Sequence, residues 1–181
     1  PTRRSSDLNF FTKIPGDPSS ASFFAAGAAI LPNSSIKMKN ILANPTRTGF
    51  FKILKKMGAQ VEWANLRKEF GEIIGDVEVK SNILNGINIY GDMIPAIIDE
   101  LPIIAIIATQ ADGPTIVADA EELRNKECDR IAAICQNLKA MGAEIIEKKD
   151  GFIVYPVNRL HNTSIQTFND HRIAMAFSIA G

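Results

Sequence analysis

"KKMGAQVEW" (55–63) returns as "KAMGAEIIE" (139–147), so that Met57-Gly58-Ala59 and Met141-Gly142-Ala143 stand 84 residues apart. Glycine accepts the left-handed backbone that ends a helix, and an apolar alternation follows each copy. Each Met-Gly-Ala therefore reads as a helix stop that opens a strand. Self-similarity at a fixed interval marks a chain built of repeated units. Ahead of the second copy, Ile131, Ile134, Leu138 and Met141 fall on one face, which predicts an amphipathic helix on the outside of its unit.

Earlier in each unit the character changes. "DPSSASFFAAGAAIL" (17–31), "DELPIIAIIATQA" (99–111) and "DHRIAMAFSIAG" (170–181) each open with Asp and turn apolar on nearly every side after one turn. A helix apolar all round is buried all round, and these are too short to cross a bilayer. Asp suits the N-cap because its carboxylate accepts orphan backbone N–H groups, and Pro18 suits the next position. Strand signals lie at 34–41, 60–63, 72–80, 86–90, 114–119, 143–146, 151–156 and 164–168 ("SIQTF"). The unit is βαβαββ, once over about 9–90 and again over 91–157. A third copy opens near Ser164 and is cut at Gly181, so the chain reads as a fragment.

Composition is ordinary for a soluble globular protein. Hydrophobic residues make up 46% and charged residues 22%, with 20 basic and 20 acidic side chains and no long run of either sign. A nucleic-acid binder would carry a basic stripe, so none is expected as a partner. Cys128 and Cys135 lack partners at metal spacing and read as reduced thiols of a cytoplasmic protein, so they are not expected to hold a metal. No apolar run reaches membrane length and no leader is visible, so no membrane partner is expected. The opening "PTRRSSDL" (1–8) reads as translated sequencing adaptor or as a disordered tail, and is set aside either way.

Equivalent helices in three repeats should run parallel with their N-termini together. Each such terminus carries roughly half a positive charge and free N–H groups, so the cluster would seat anions. Charged residues sit at all three starts. In "LRNKECDRIAAI" (123–134), a helix beginning near Glu127 puts that residue and Arg130 in line with the buried stripe, with Lys126 and Asp129 pointing elsewhere. Taken alone, Glu127 is an ordinary first-turn acid paired with Arg130 at i,i+3. Likewise His171 and Arg172 could simply pair with Asp170 or Glu127, and Asp99 could be a plain N-cap. Three such coincidences at one locus are harder to accept than a binding site.

In chain order, "PGDPSSASFF", "NPTRTG", "IDELP", "ELRNKECDR" and "DHRIAMA" resemble the 5-enolpyruvylshikimate-3-phosphate synthase family from about Lys13 to Gly181. The resemblance implies an inside-out α/β barrel of the enolpyruvyl transferase type: two domains of three βαβαββ units each, with buried parallel helices and the active site between the domains. It makes residues 9–181 an incomplete C-terminal domain, expected to be inactive alone. The implied reaction moves the enolpyruvyl group of phosphoenolpyruvate to the 5-hydroxyl of shikimate 3-phosphate, with no cofactor, in chorismate and aromatic amino-acid biosynthesis. The implied partners are those two substrates and the missing N-terminal domain of a monomeric protein.

By position, Asp99 resembles the residue that contacts the 5-hydroxyl and accepts its proton, and Lys126 the lysine that binds shikimate 3-phosphate. Glu127 resembles the acid that protonates the phosphoenolpyruvate methylene. Arg130 and Arg172 resemble the arginines that grip phosphoenolpyruvate, with His171 beside them. Cys128 departs from the usual Ser or Thr and is expected to point off the catalytic face. Glu122 stands where some members have an Asn sugar contact and carries no role, and the family's late catalytic lysine would lie beyond Gly181. Two other readings remain: a UDP-N-acetylglucosamine enolpyruvyl transferase, and a non-catalytic βαβαββ binding module.

Overall fold

The computed structural model describes residues 13–181; the reading of residues 1–8 lies outside them. Helix α1 (Pro18–Ile30), strand β1 (Ser35–Leu42), helix α2 (Gly49–Met57) and strands β2 (Gln60–Glu69) and β3 (Glu72–Lys80) form the first unit. The second runs β4 (Asn88–Ile89), α3 (Leu101–Ala108), β5 (Thr115–Val117), α4 (Arg130–Ala140), β6 (Ile145–Lys148) and β7 (Gly151–Val154). Helix α5 (His171–Ala180) follows.

Topology makes the repeat explicit. The first sheet has the order β1-β3-β2 and the second β4-β5-β7-β6. β4 pairs with β5 in parallel, and the remaining pairs are antiparallel. A parallel bridge from Gly16 to Ile41 stands where β4 meets β5 in the second copy, so the two units share one order.

Both glycines of the recurring motif end their helices as expected. Gly58 closes α2 at φ 114° and donates to the carbonyls of Leu54 and Lys55. Gly142 sits at φ 83°, just past the end of α4, and donates to Lys139 O. A side chain would be crowded as well as strained: a Cβ on Gly58 would lie 2.5 Å from Ile83 O, and one on Gly142 2.5 Å from a ring carbon of His161.

Burial is less even than the sequence suggests. All eight residues of α3 are buried, because it packs against α1 on one flank and α5 on another. Burying Ile103, Ile104, Ile106 and Ile107 contributes roughly 1.5–3 kcal/mol each. α1 leaves Phe24 exposed, and α5 buries only Ile173, Ala176 and Phe177. Each of these two keeps an open face, so all-round burial holds for α3 alone. In α4 the stripe Ile131, Ile134, Leu138 and Met141 is buried while Gln136, Lys139 and Ala140 face solvent.

The expected strand at 164–168 is absent. The Asn137 side chain accepts from Gln166 N and donates to Gln166 O, both at 2.9 Å, and so holds the backbone groups that a neighbouring strand would use. Phe168 and Asn169 then take left-handed φ, which turns the chain into α5. Among the described residues no helix is long and apolar enough to cross a membrane.

Candidate active site

The starts of the three packed helices meet through side chains. Asp17 caps α1, accepting from Ser20 N at 2.8 Å, and pairs with Arg47 Nη2 at 2.8 Å. Burial pushes the Asp17 carboxyl up, but the Ser20 bonds and Arg47 outweigh it and hold it below the usual range. Arg47 Nη2 also donates to Ser19 Oγ at 3.3 Å. At α5, Asp170 is the cap, accepting from Arg172 N at 2.8 Å and Ile173 N at 3.4 Å. The start of α3 differs. Asp99 is not its cap: it lies in the turn ahead of the helix, with Glu100 in the capping position making no side-chain cap bond. Two guanidinium groups draw the Asp99 carboxylate away instead.

The first of these is Arg130, the centre of the site. Its side chain is 1% exposed, yet each branch of its fork meets a different carboxylate. Nε donates to Asp170 Oδ2 at 2.7 Å, Nη1 to Asp99 Oδ1 at 3.0 Å and Nη2 to Glu127 Oε2 at 2.6 Å. Burial opposes the Arg130 charge, but its bonds to Asp170 and Asp99 and the nearby Glu127 leave its pKa above the ordinary value. Asp170 is wholly buried, whereas Asp99 and Glu127 are 44% and 48% exposed. Burial also raises the Asp170 carboxyl, and again its partners win: Arg130 and the N–H groups of Arg172 and Ile173 hold it low. One buried cation is thus anchored by one buried anion and presents two half-open carboxylates.

Arg172 is the second guanidinium. Nη2 lies 3.5 Å from Asp99 Oδ2, and Nη1 3.8 Å from Glu100 Oε1. Its partners are therefore Asp99 and Glu100, not Asp170 or Glu127; Asp170 reaches only its backbone N–H. Glu127 is likewise not in the first turn of a helix. It sits in a bend, and α4 begins at Arg130 because Asp129 caps it, accepting from Ala132 N at 3.0 Å. The Glu127–Arg130 contact therefore spans the cap rather than a helical turn. Lys126 and His171 are exposed, and among the described residues neither makes an ion pair.

Three participants were not picked out from the sequence. Arg124 ties the bend down, donating to Lys149 O at 2.7 Å and Lys148 O at 2.6 Å, and pairing with Asp129 at 2.7 Å. Glu100 is buried among the helix starts. Cys128 does not point off this face: its sulfur lies 3.7 Å from Asp170 Oδ2, and burial first, then Asp170, pushes the thiol up to about 11.

Known proteins share this chain. The family model for EPSP synthase (3-phosphoshikimate 1-carboxyvinyltransferase) matches residues 4–181. The 3-phosphoshikimate 1-carboxyvinyltransferases of Petrotoga mobilis and Thermodesulfovibrio yellowstonii are 51% and 49% identical, over 93% and 97% of this chain. The chain spans only 39% and 41% of their lengths. A solved EPSP synthase from Acinetobacter baumannii superposes with a TM-score of 0.88 at 40% identity, over 92% of this chain and 39% of that one. The enolpyruvyl transferase NikO from Streptomyces tendae, at 15% identity and a TM-score of 0.69 over 93% of this chain and 37% of its own, shares the fold. Matched by that family model along almost its whole length and about half identical to these relatives, the chain belongs to the EPSP synthase family.

Proposed function

We propose that this chain is most of the C-terminal domain of a monomeric, cytoplasmic enzyme that makes 5-enolpyruvylshikimate 3-phosphate from phosphoenolpyruvate and shikimate 3-phosphate. In this reading the two units and α5 are part of an inside-out α/β barrel, and an N-terminal domain supplies the opposite wall of the site. Two unpaired thiols suit a reducing compartment. The relatives above favour neither the sugar-nucleotide transferase nor the binding module.

The observation that carries the reading is the meeting of Asp99 and Glu127 at one buried arginine. Enolpyruvyl transfer needs an acid for C3 of phosphoenolpyruvate and a base for the attacking hydroxyl. It also needs planar donors for carboxylate and phosphate. Substrate anion takes over Nη1 and Nη2 of Arg130, which frees Asp99 and Glu127, while buried Asp170 keeps Nε and hence the fork's orientation. Arg172 grips the same substrate, with His171 beside it, and exposed Lys126 meets the phosphate of shikimate 3-phosphate. Glu127 protonates C3, the 5-hydroxyl oxygen bonds to C2, and Asp99 takes the hydroxyl proton. Breaking the C2–O bond to phosphate and losing a proton from C3 then restores the double bond.

The test is phosphate release by the parent enzyme carrying both halves. Release should require phosphoenolpyruvate and shikimate 3-phosphate together. Release with UDP-N-acetylglucosamine in place of shikimate 3-phosphate would overturn the assignment.

A further inference from the structure

Glu100 has no part in the reaction as drawn above, yet it is a buried carboxylate at the point where α1, α3 and α5 begin. Its side chain is 7% exposed. Burial is the largest influence on its pKa and raises it, opposed by the Ser19 hydroxyl and the charges of Arg172 and Arg47, with Asp99 adding to the rise. Ser19, Arg47, Asp99 and Glu100 line a cavity of about 70 Å³ between the helix starts. A buried acid that is not compensated into an ordinary pKa is costly to keep. As a helix cap it is idle, since it makes no cap bond. Its nearest opposite charge is Arg172 Nη1, at 3.8 Å, while the other end of the same guanidinium holds Asp99.

We infer that Glu100 is a positioning residue that tethers Arg172 while Asp99 changes charge. This rests on the enolpyruvyl-transfer reading, in which Asp99 is neutralised once per turnover. A neutral Asp99 loses most of its hold on Arg172, at the moment when Arg172 must stay on the reacting phosphate and carboxylate. Glu100, on the opposite end of the fork, stays beside Nη1 when Asp99 is protonated. The buried acid thus decouples the grip on phosphoenolpyruvate from the protonation state of the base beside it.

In the parent enzyme, Glu100→Gln should lower kcat about tenfold, with KM for phosphoenolpyruvate and for shikimate 3-phosphate moving less than about twofold. In an Arg172→Lys background the same change should add nothing, because the effect runs through the guanidinium. Burial raises the Glu100 pKa, so the fold disfavours its charge and the Gln variant should melt no lower than wild type at pH 7. On acidification Glu100 takes up a proton before an exposed glutamate does. Wild-type kcat should then fall faster than that of the Gln variant, so the ratio between the two narrows. A kcat within about twofold of wild type, an equal effect in Arg172→Lys, or a kcat loss accompanied by a lower melt would each overturn the tether.

A second measurement needs no turnover. In the 181-residue chain, the Arg172 Nη–H NMR signals should survive Asp99→Asn and disappear in Asp99→Asn/Glu100→Gln. Persistence in the double variant refutes the tether. A wild-type parent that releases no phosphate refutes the proposed reaction instead.

Discussion

Removing the three carboxylates of Arg130 one at a time should separate Asp170 from the other two. Asp170→Asn keeps a competent N-cap for α5, since Asn accepts the same backbone N–H groups, but deletes the only wholly buried charge facing Arg130. Breaking a buried ion pair costs about 3–5 kcal/mol. Arg130 retains Asp99 and Glu127, so we expect about 2–4 kcal/mol here. Asp99→Asn and Glu127→Gln remove half-exposed partners worth about 0–1 kcal/mol each. At about 2–4 °C per kcal/mol for this size, Asp170→Asn should lower Tm by roughly 5–15 °C and the other two by at most about 4 °C. Thermal unfolding of the 181-residue chain followed by circular dichroism measures this. The pH dependence adds a check. The folded-state pKa of Asp170 is depressed, so its stabilisation is present above the ordinary carboxylate value and is lost as pH falls through the folded one. The gap between wild type and Asp170→Asn should therefore narrow below about pH 4. A Tm for Asp170→Asn matching that of Glu127→Gln, or a gap that stays constant into acid, would refute this account.

Glu127→Gln in the parent enzyme should lower kcat by about 10²–10⁴-fold with little change in Tm, as expected for loss of a general acid; more than about a tenth of wild-type kcat would remove it from that role. With its thiol pushed to about 11, Cys128 should alkylate about 100-fold more slowly at pH 8 than an exposed cysteine, and Asp170→Asn should speed the reaction; peptide mass mapping reads both. Gly142→Ala must hold φ 83° and push the His161 ring aside, so a loss above about 1 kcal/mol is expected in urea melts, with Gly71→Ala, which meets no neighbour, as the milder control.

The unit structure was legible because it rests on local signals: glycine stops, Asp caps and apolar periodicity all act within a few residues. Asp17 and Asp170 cap their helices as their positions suggested. Asp99 misled because the same letter before the same kind of helix serves arginines from two other elements. Only tertiary structure brings those arginines near. Glu127 misled similarly, since the cap at Asp129 moves the helix start past it. Glu100 did leave a trace: an acid leading directly into a helix apolar on every side must be buried with it. "SIQTF" alternates well enough for a strand, but Asn137, in the interior face of a distant helix, takes its hydrogen bonds.

Among the described residues no strand of the first sheet pairs with a strand of the second, and α5 packs chiefly on α3 and α1. Across the seam between the second unit and α5, the ionic contacts are unequal in length. Arg130 to Asp170 is tight at 2.7 Å, while Arg172 reaches Asp99 at 3.5 Å and Glu100 at 3.8 Å. Mechanically this is a joint with one pin and two slack stays. Any shear of one packed helix on another would strain the short Arg130 contact first and be taken up within the longer reach of Arg172.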